Sequence, residues 1–265
     1  MRSTLKITSA MKLVASSKLH KAQKAIEGLR PYASSLKEIL SDLETSSVEM
    51  LQNEPADRVA IVAIASNSSL CGAFNVNAVK AAMKEASEHA SVKFFPIGKK
   101  MLDAVKKSAY EYEDPEQDFI SHPSYEMNAA FAHSLIDRFQ AGEFSKIVLV
   151  YNAFVSLSVQ NAHSEQFLPY EWSEQESEHQ EFNKYIYEPQ ASDIARELLP
   201  QLLCLQFHAA ILDSVAAEQS ARTIAMQTAT DNAERLLSEL TLEYNKGRQQ
   251  KITNEILDLV GGTFQ

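Results

Sequence analysis

Glycine is scarce in this sequence, with seven among 265 residues, and neither a G-x-G-x-x-G nor a G-x-x-x-x-G-K-[ST] pattern occurs. Phosphate-cradling loops need such glycines for tight turns and close backbone approach, so the sequence holds little material for a nucleotide site of either kind and the sheet reads as a scaffold. The one cluster at a candidate helix start, Gly98-Lys99-Lys100, reads as a solvated turn rather than an anion site. Cysteine is equally sparse. Cys71 and Cys204 are too few and too far apart for a disulfide framework or a zinc site, which makes a reducing compartment the default. Cys71 itself reads as a small buried apolar residue rather than a nucleophile. The seven histidines are dispersed, without H-x-x-x-H or H-E-x-x-H pairing, and no G-x-S-x-G elbow is present. Asp231 and Glu234, at i and i+3, read as a solubilising pair. No run of eighteen apolar residues occurs, and lysines interrupt the apolar residues at the N-terminus throughout, so there is no signal-peptide pattern. No metal, cofactor or catalytic constellation follows from these residues.

Proline is missing where it matters most. Between Gln201 and Val260 there are 60 residues with no proline and a single glycine, Gly247. Nothing there is obliged to break a helix, and the spacing predicts one long helix from about Ser192 to Val260. At 1.5 Å per residue such a helix spans about 90 Å, more than one core can cover, so it must project and needs a second helix beside it. The candidate partner lies at the other end of the chain. Residues 3 to about 48 are helix-friendly with one interruption at Pro31, and Met11, Ala15, Leu19, Ala22, Ile26 and Leu29 recur at spacings of three and four. On the C-terminal helix Ala225, Ala229 and Ala233 follow at i+4, continued by Leu236, Leu240 and Tyr244. Small residues in a row allow close backbone approach.

Charge is distributed unevenly. The net charge is −10, yet residues 1–37 hold eight basic residues against one acid, Glu27, so they carry +7 and the remainder −17. A basic helix of this kind suits nucleic acid, an anionic membrane or an acidic protein surface, and a plain solvated face fits the charges equally well. The absence of aromatic residues before Tyr32 weighs against base stacking.

Between the helical arms the pattern changes to strands alternating with helices. Arg58 to Ala65 (RVAIVAIA) is a continuous apolar run, followed by a turn at residues 66–69 and a helix near Val76 to His89. Val92 to Ile97 and Lys146 to Tyr151 are further strands, with Phe119-Ile120 as a short third one. Lys99 to Ser108 and Met127 to Gln140 are the intervening helices. After Phe154 the chain turns back in antiparallel fashion. Residues 111–118 and 171–181 are acidic and lack apolar periodicity, so both read as exposed loops. The expected fold is α/β: a long antiparallel coiled coil of the two terminal helices with an inserted, mainly parallel, Rossmann-like domain. The expected division is 1–55, 56–190 and 191–265.

Five stretches, in order along the chain, carry a resemblance. Residues Thr4 to Leu19 (TLKITSAMKLVASSKL), Leu70 to Asn75 (LCGAFN), Tyr187-Glu188-Pro189, Glu218 to Ala233 (EQSAR, AM, ATDNA) and Tyr244 to Gly262 closely resemble the gamma subunit of F-type ATP synthases. The resemblance implies a non-catalytic rotating central shaft that couples ion flow through a c-subunit ring to ATP synthesis or hydrolysis at the beta subunits. It implies no cofactor and no nucleic acid. Its partners would be the alpha, beta and epsilon subunits and the c ring, with the membrane met only through the complex, at the cytoplasmic face. Lys6, Thr8, Met11, Lys12 and Lys18 match shaft positions that face beta. Arg248, Gln249, Thr253 and Glu255 match a polar catch on beta, and Tyr187 and Glu188 match the foot that meets the c ring and epsilon.

Two departures stand out. The family helix begins several turns upstream of its signature, whereas here the signature starts three residues after Met1. If Met1 is the native start, part of the C-terminal helix tip loses its coiled-coil mate. Asn67-Ser68-Ser69 replaces the family's Asp-Arg-Gly, so loop contacts of that charged pair are not expected. A homo-oligomeric coiled-coil scaffold is the competing reading, and a nucleic-acid-binding protein using the basic arm a weaker one.

Overall fold

The computed structural model describes residues 2–43, 58–170, 188 and 190–262. In chain order these form α1 (Arg2–Asp42), β1 (Val59–Ile64), α2 (Phe74–Ser87), β2 (Val92–Ile97), α3 (Lys99–Val105), β3 (Glu111–Tyr112), α4 (Tyr125–Gln140), β4 (Lys146–Phe154), β5 (Gln160–Leu168) and α5 (Ala191–Gly262). The acidic stretch 171–181 and Tyr187 lie outside the described residues.

The five strands form one sheet in the order β3-β2-β1-β4-β5. The first four are parallel, and β5 returns antiparallel to β4. Every residue of β1 is buried, because both of its faces are covered. Val59, Ile61 and Ala63 pack with α2 and α3, while Ala60, Val62 and Ile64 pack with α4 and α5. A strand covered on both sides has no polar face to alternate with, which is why RVAIVAIA reads as an unbroken apolar run. The third strand is not Phe119-Ile120. That pair sits in a turn and is buried among aromatic side chains, with Phe119 5.2 Å from the Phe131 ring and 6.5 Å from Phe207. Its apolarity marks core rather than strand. The actual β3 is exposed and pairs with Lys93 and Phe94 of β2 through its backbone, so it left no apolar trace in the sequence.

Gly98 shows why glycine appears where β2 hands over to α3. Its φ is +92°, and a Cβ there would stand 2.0 Å from the Ala65 carbonyl oxygen at the end of β1. The role is close backbone approach, not anion binding.

α5 matches its expected span within two residues at each end, whereas the interruption expected in α1 is absent; the part of that expected helix beyond residue 43 lies outside the described residues. α1 runs straight through Pro31, and α5 begins at Ala191 and includes Pro200. Pro31 and Glu27, whose carbonyl loses its helical donor, are both solvent-exposed, so the missing bond falls on the side open to solvent rather than in the core. At 72 residues α5 is about 108 Å long. Its first half lies in the core: Leu199, Leu202, Leu203, Phe207 and Ile211 are buried under the sheet. The Asn128 Nδ2 of α4 donates to His208 Nδ1 at 2.6 Å, a polar tie inside that apolar contact. An 18-residue window of α5 reaches a mean hydropathy of 1.3 and is two-thirds buried, in keeping with a core helix.

Candidate functional site: a two-helix shaft and its clamp

The inward side of α1 follows a strict alternation of three and four. Leu5, Thr8, Lys12, Ala15, Leu19 and Ala22 lead on through Ile26, Leu29, Ala33, Leu36 and Leu40 to Leu43, and all of these are buried or half-buried. That is a heptad seam of 3.5 residues per turn, the period of a left-handed coiled coil. α5 answers with Gln219, Thr223, Met226, Thr230, Ala233 and Leu237. The i+4 row expected at Ala225, Ala229 and Ala233 therefore gives way to a different seam, and Leu236, Leu240 and Tyr244 are exposed. The reason is geometric: successive i+4 steps drift around a helix, whereas alternating steps of three and four stay on one side.

Two polar pairs fix the antiparallel register. The Thr230 and Thr8 hydroxyls are hydrogen-bonded at 2.9 Å, and Lys12 Nζ donates to Gln227 Oε1 at 2.5 Å. By the same register Arg2 stands level with Leu236. Beyond that point no described residue of α1 accompanies α5.

The structure thus brings Thr8 and Lys12 against Thr230 and Gln227, with Met11 half-buried and Lys6 and Lys18 exposed on the same helix. Arg248, Gln249, Thr253 and Glu255 lie on the bare length of α5 and are all exposed. Gln249 is 22 residues beyond Gln227, about 33 Å along the axis. Thr253 Oγ1 donates to the Gln249 carbonyl of its own helix, and Glu255 pairs loosely with Lys251 at 3.9 Å. Arg248 and Gln249 project freely from the helix surface. Glu188 is exposed, and Tyr187 lies outside the described residues.

What single-residue reasoning missed is the joint between shaft and sheet. Glu218 and Arg222 are buried on α5 and pair at 2.5 Å. Arg222 Nη2 also donates to Ser68 Oγ at 2.8 Å in the turn after β1. That turn is braced from within: Ser66 N–H and Oγ both donate to Asn75 Oδ1 at 3.0 and 2.9 Å, and Asn75 Nδ2 reaches Cys71 Sγ at 3.1 Å. Cys71 is buried with Phe74, Ala217 and Ala221, the small apolar role expected of it. Asn67, in the position of a charged family residue, ties the turn sideways by donating to Asp118 Oδ1 and Ser121 Oγ and accepting from Lys99 N–H. Neutral residues thus hold this loop by hydrogen bonds of their own. On the other side of α5, Ser220 Oγ donates to the Leu157 carbonyl at 2.7 Å. Burial pushes the Glu218 carboxyl above the usual range, and the neighbouring Arg222 and Lys18 charges pull it part of the way back. The signal for this joint was in the sequence: LCGAFN and EQSAR are two of the stretches that carried the resemblance, and here they meet.

Among the described residues no group of three or more His, Cys, Asp or Glu is placed to hold a metal ion.

The comparisons agree with this geometry. Residues 1–264 match the family described as ATP synthase (ATP-synt). The ATP synthase gamma chain of Bacteroides fragilis is 43% identical over 275 residues, covering 99% of this chain and 95% of that one. The gamma chain of Bacteroides thetaiotaomicron is 41% identical over 284 residues, covering 100% and 95%. In fold the chain is similar to the central stalk of the Tetrahymena thermophila mitochondrial ATP synthase, with a TM-score of 0.59 at 21% identity over 84% of this chain and 99% of that one. It is likewise similar to the rotor of the Euglena gracilis mitochondrial enzyme, with a TM-score of 0.56 at 19% identity over 95% of each. The full-length family match and relatives above 40% identity place the chain in one family: it belongs to the ATP synthase gamma chains.

Proposed function

We propose that this chain is the non-catalytic central rotor of an F-type ATP synthase, working at the cytoplasmic face of the cell membrane with alpha, beta and epsilon subunits and a c ring. The observation that carries the reading is what α5 exposes along its distal third. From Leu237 to Gly262 it extends about 38 Å, bearing exposed Leu240, Leu242, Tyr244, Ile252 and Ile256 as well as the polar set at 248–255. Apolar side chains on several sides of one helix fit a sleeve that contacts it all round. A ring of alpha and beta subunits is such a sleeve.

In this reading residues 1–55 and 191–265 are the shaft and 56–190 the inserted domain. Lys6, Thr8, Met11, Lys12 and Lys18 face beta on one level of the shaft. Arg248, Gln249, Thr253 and Glu255 form a catch about 30 Å further along. The foot includes Tyr187 and Glu188. Turning an asymmetric shaft changes which beta subunit makes which contacts, and so shifts each site in turn among binding, reacting and releasing conformations. Torque delivered at the foot has to cross from sheet to shaft, and the Glu218–Arg222–Ser68 clamp is one of the polar links at that crossing, with Ser220 on the Leu157 carbonyl another.

Co-expression with the alpha and beta subunits of the same organism tests this. The rotor reading expects one copy per three alpha–beta pairs and stimulated multi-site ATPase turnover. A stable self-assembled particle of the chain alone, with no association with alpha and beta, would establish the scaffold reading instead.

A further inference from the structure

The turn between β4 and β5 has a composition that its position does not explain. Hairpin tips are normally polar, because their solvation costs least there. Here Val155, Leu157 and Val159 are 59%, 53% and 45% exposed, three apolar side chains in five residues. The turn is nevertheless held in one shape. Val155 and Ser156 N–H both donate to the Val159 carbonyl at 3.2 and 3.1 Å, and Gln160 Nε2 donates to the Leu157 carbonyl at 3.0 Å. The Ser220 hydroxyl pins that same carbonyl to α5. Across α5, the Ser68 turn is pinned at Arg222 and presents Leu70, 60% exposed and at φ +69°, a backbone conformation unfavourable for a leucine. Ile224, also exposed, lies half a turn further on. These five apolar side chains flank the shaft at one level, where the sheet ends and the paired helices continue alone.

We infer that this collar, centred on the β4–β5 turn, is a contact surface for the underside of the alpha–beta head, at the point where the shaft enters it. The inference rests on the rotor reading and extends it from the shaft to the shoulder of the inserted domain. Continuity decides the occupant: the collar adjoins the shaft level of Lys12 and Thr8, five to eight residues along α5 from Arg222, so whatever sleeve surrounds that level overhangs the collar. The pinned geometry means that little ordering is left to be done on contact, and small projecting apolar knobs give adhesion without interlocking. A surface that must slide from one alpha–beta pair to the next needs that combination.

The test uses the full chain assembled with its own alpha and beta subunits. Cys71 and Cys204 are buried, so a Leu157→Cys chain takes a maleimide photocrosslinker at one place. The expected result is a covalent adduct to alpha or beta. In parallel, Val155→Ser/Leu157→Ser/Val159→Ser should raise the gamma concentration for half-maximal ATPase stimulation roughly tenfold. Leu70→Gly, which relieves the backbone and cannot unfold the turn for that reason, should raise it in the same direction. Adducts to epsilon, the c ring or a second gamma, or unchanged half-maximal concentrations in both variants, would overturn the inference. Failure of the unmodified chain to bind the head would overturn the rotor reading itself, a separately visible outcome.

Discussion

Arg222 is the residue on which the joint depends most. Removing one member of a buried ion pair leaves the other uncompensated, so Arg222→Ala should lower the unfolding free energy by about 3 kcal/mol, read from the urea midpoint of the isolated chain. A combined Glu218→Gln/Arg222→Met chain should recover much of that loss. A recovery no better than Arg222→Ala would show that the pair is not what holds the turn. Gly98→Ala should be worse tolerated than any exposed substitution. It demands a disfavoured backbone and a clash with Ala65 at once, about 3 kcal/mol in all.

Titration gives opposite signs at the two ends of the sheet. Beside the N-terminal ends of the strands, Lys93 bridges Glu111, Glu113 and Glu143, and Arg138 pairs with Glu113 and Glu143 while stacking 4.9 Å from the Phe95 ring. The Arg138 hydrogen bonds pull Glu113 down to about 2 from an ordinary 4.5. A depressed carboxyl stabilises the fold above its unfolded value and ceases to as the pH falls through its folded value. Stability should therefore drop between pH 4.5 and about 2, and Glu113→Gln should flatten that limb. Solvent screening keeps each such half-exposed pair near about 0.5 kcal/mol, so the effect is a slope rather than a collapse. Glu218, raised by burial, acts the other way: its contribution weakens as the pH rises above the ordinary carboxyl range.

At the scale of elements, the seam of α1 makes the clearest prediction. Leu19 is a buried member of both the seam and the main core, so Leu19→Ala should cost about 2 to 4 kcal/mol and lower the melting temperature. Exposed Leu13→Ala on the opposite side should change it little. This difference was legible in the sequence, since a period of three and four declares which side is covered. The apolar pattern also gave β1, β2 and β4 as continuous runs, and the lack of proline between Gln201 and Val260 gave the length of α5. It failed where the apolar signal and the element part company. Phe119-Ile120 is apolar because it is buried in a turn, and β3 is a strand held by backbone bonds alone. The seam of α5 was misplaced because Ala225, Ala229 and Ala233 form a tidy row, and only the register of Thr230 on Thr8 reveals that the partner follows Met226 instead. The clamp was invisible one residue at a time, since Ser68 and Arg222 are 154 positions apart.

The whole molecule is a rigid sheet domain riding on a helix about 108 Å long, with its chemistry-bearing side chains on the outside of the shaft. Contacts of that kind act on other subunits. Arg248→Ala or Gln249→Ala should therefore lower coupled turnover severalfold while leaving co-purification with alpha and beta intact. Equal losses of turnover and assembly would refute the catch.

Rotation itself is the most direct measurement. With Cys71 and Cys204 buried, Lys107→Cys in the exposed turn after α3 accepts a bead or a gold particle without labelling the interior. With the alpha–beta head fixed to a surface, addition of ATP should turn the probe in one direction, at a rate that follows ATP concentration and stops when ATP is removed. A head that hydrolyses ATP at the stimulated rate while the probe only fluctuates would contradict the rotor account.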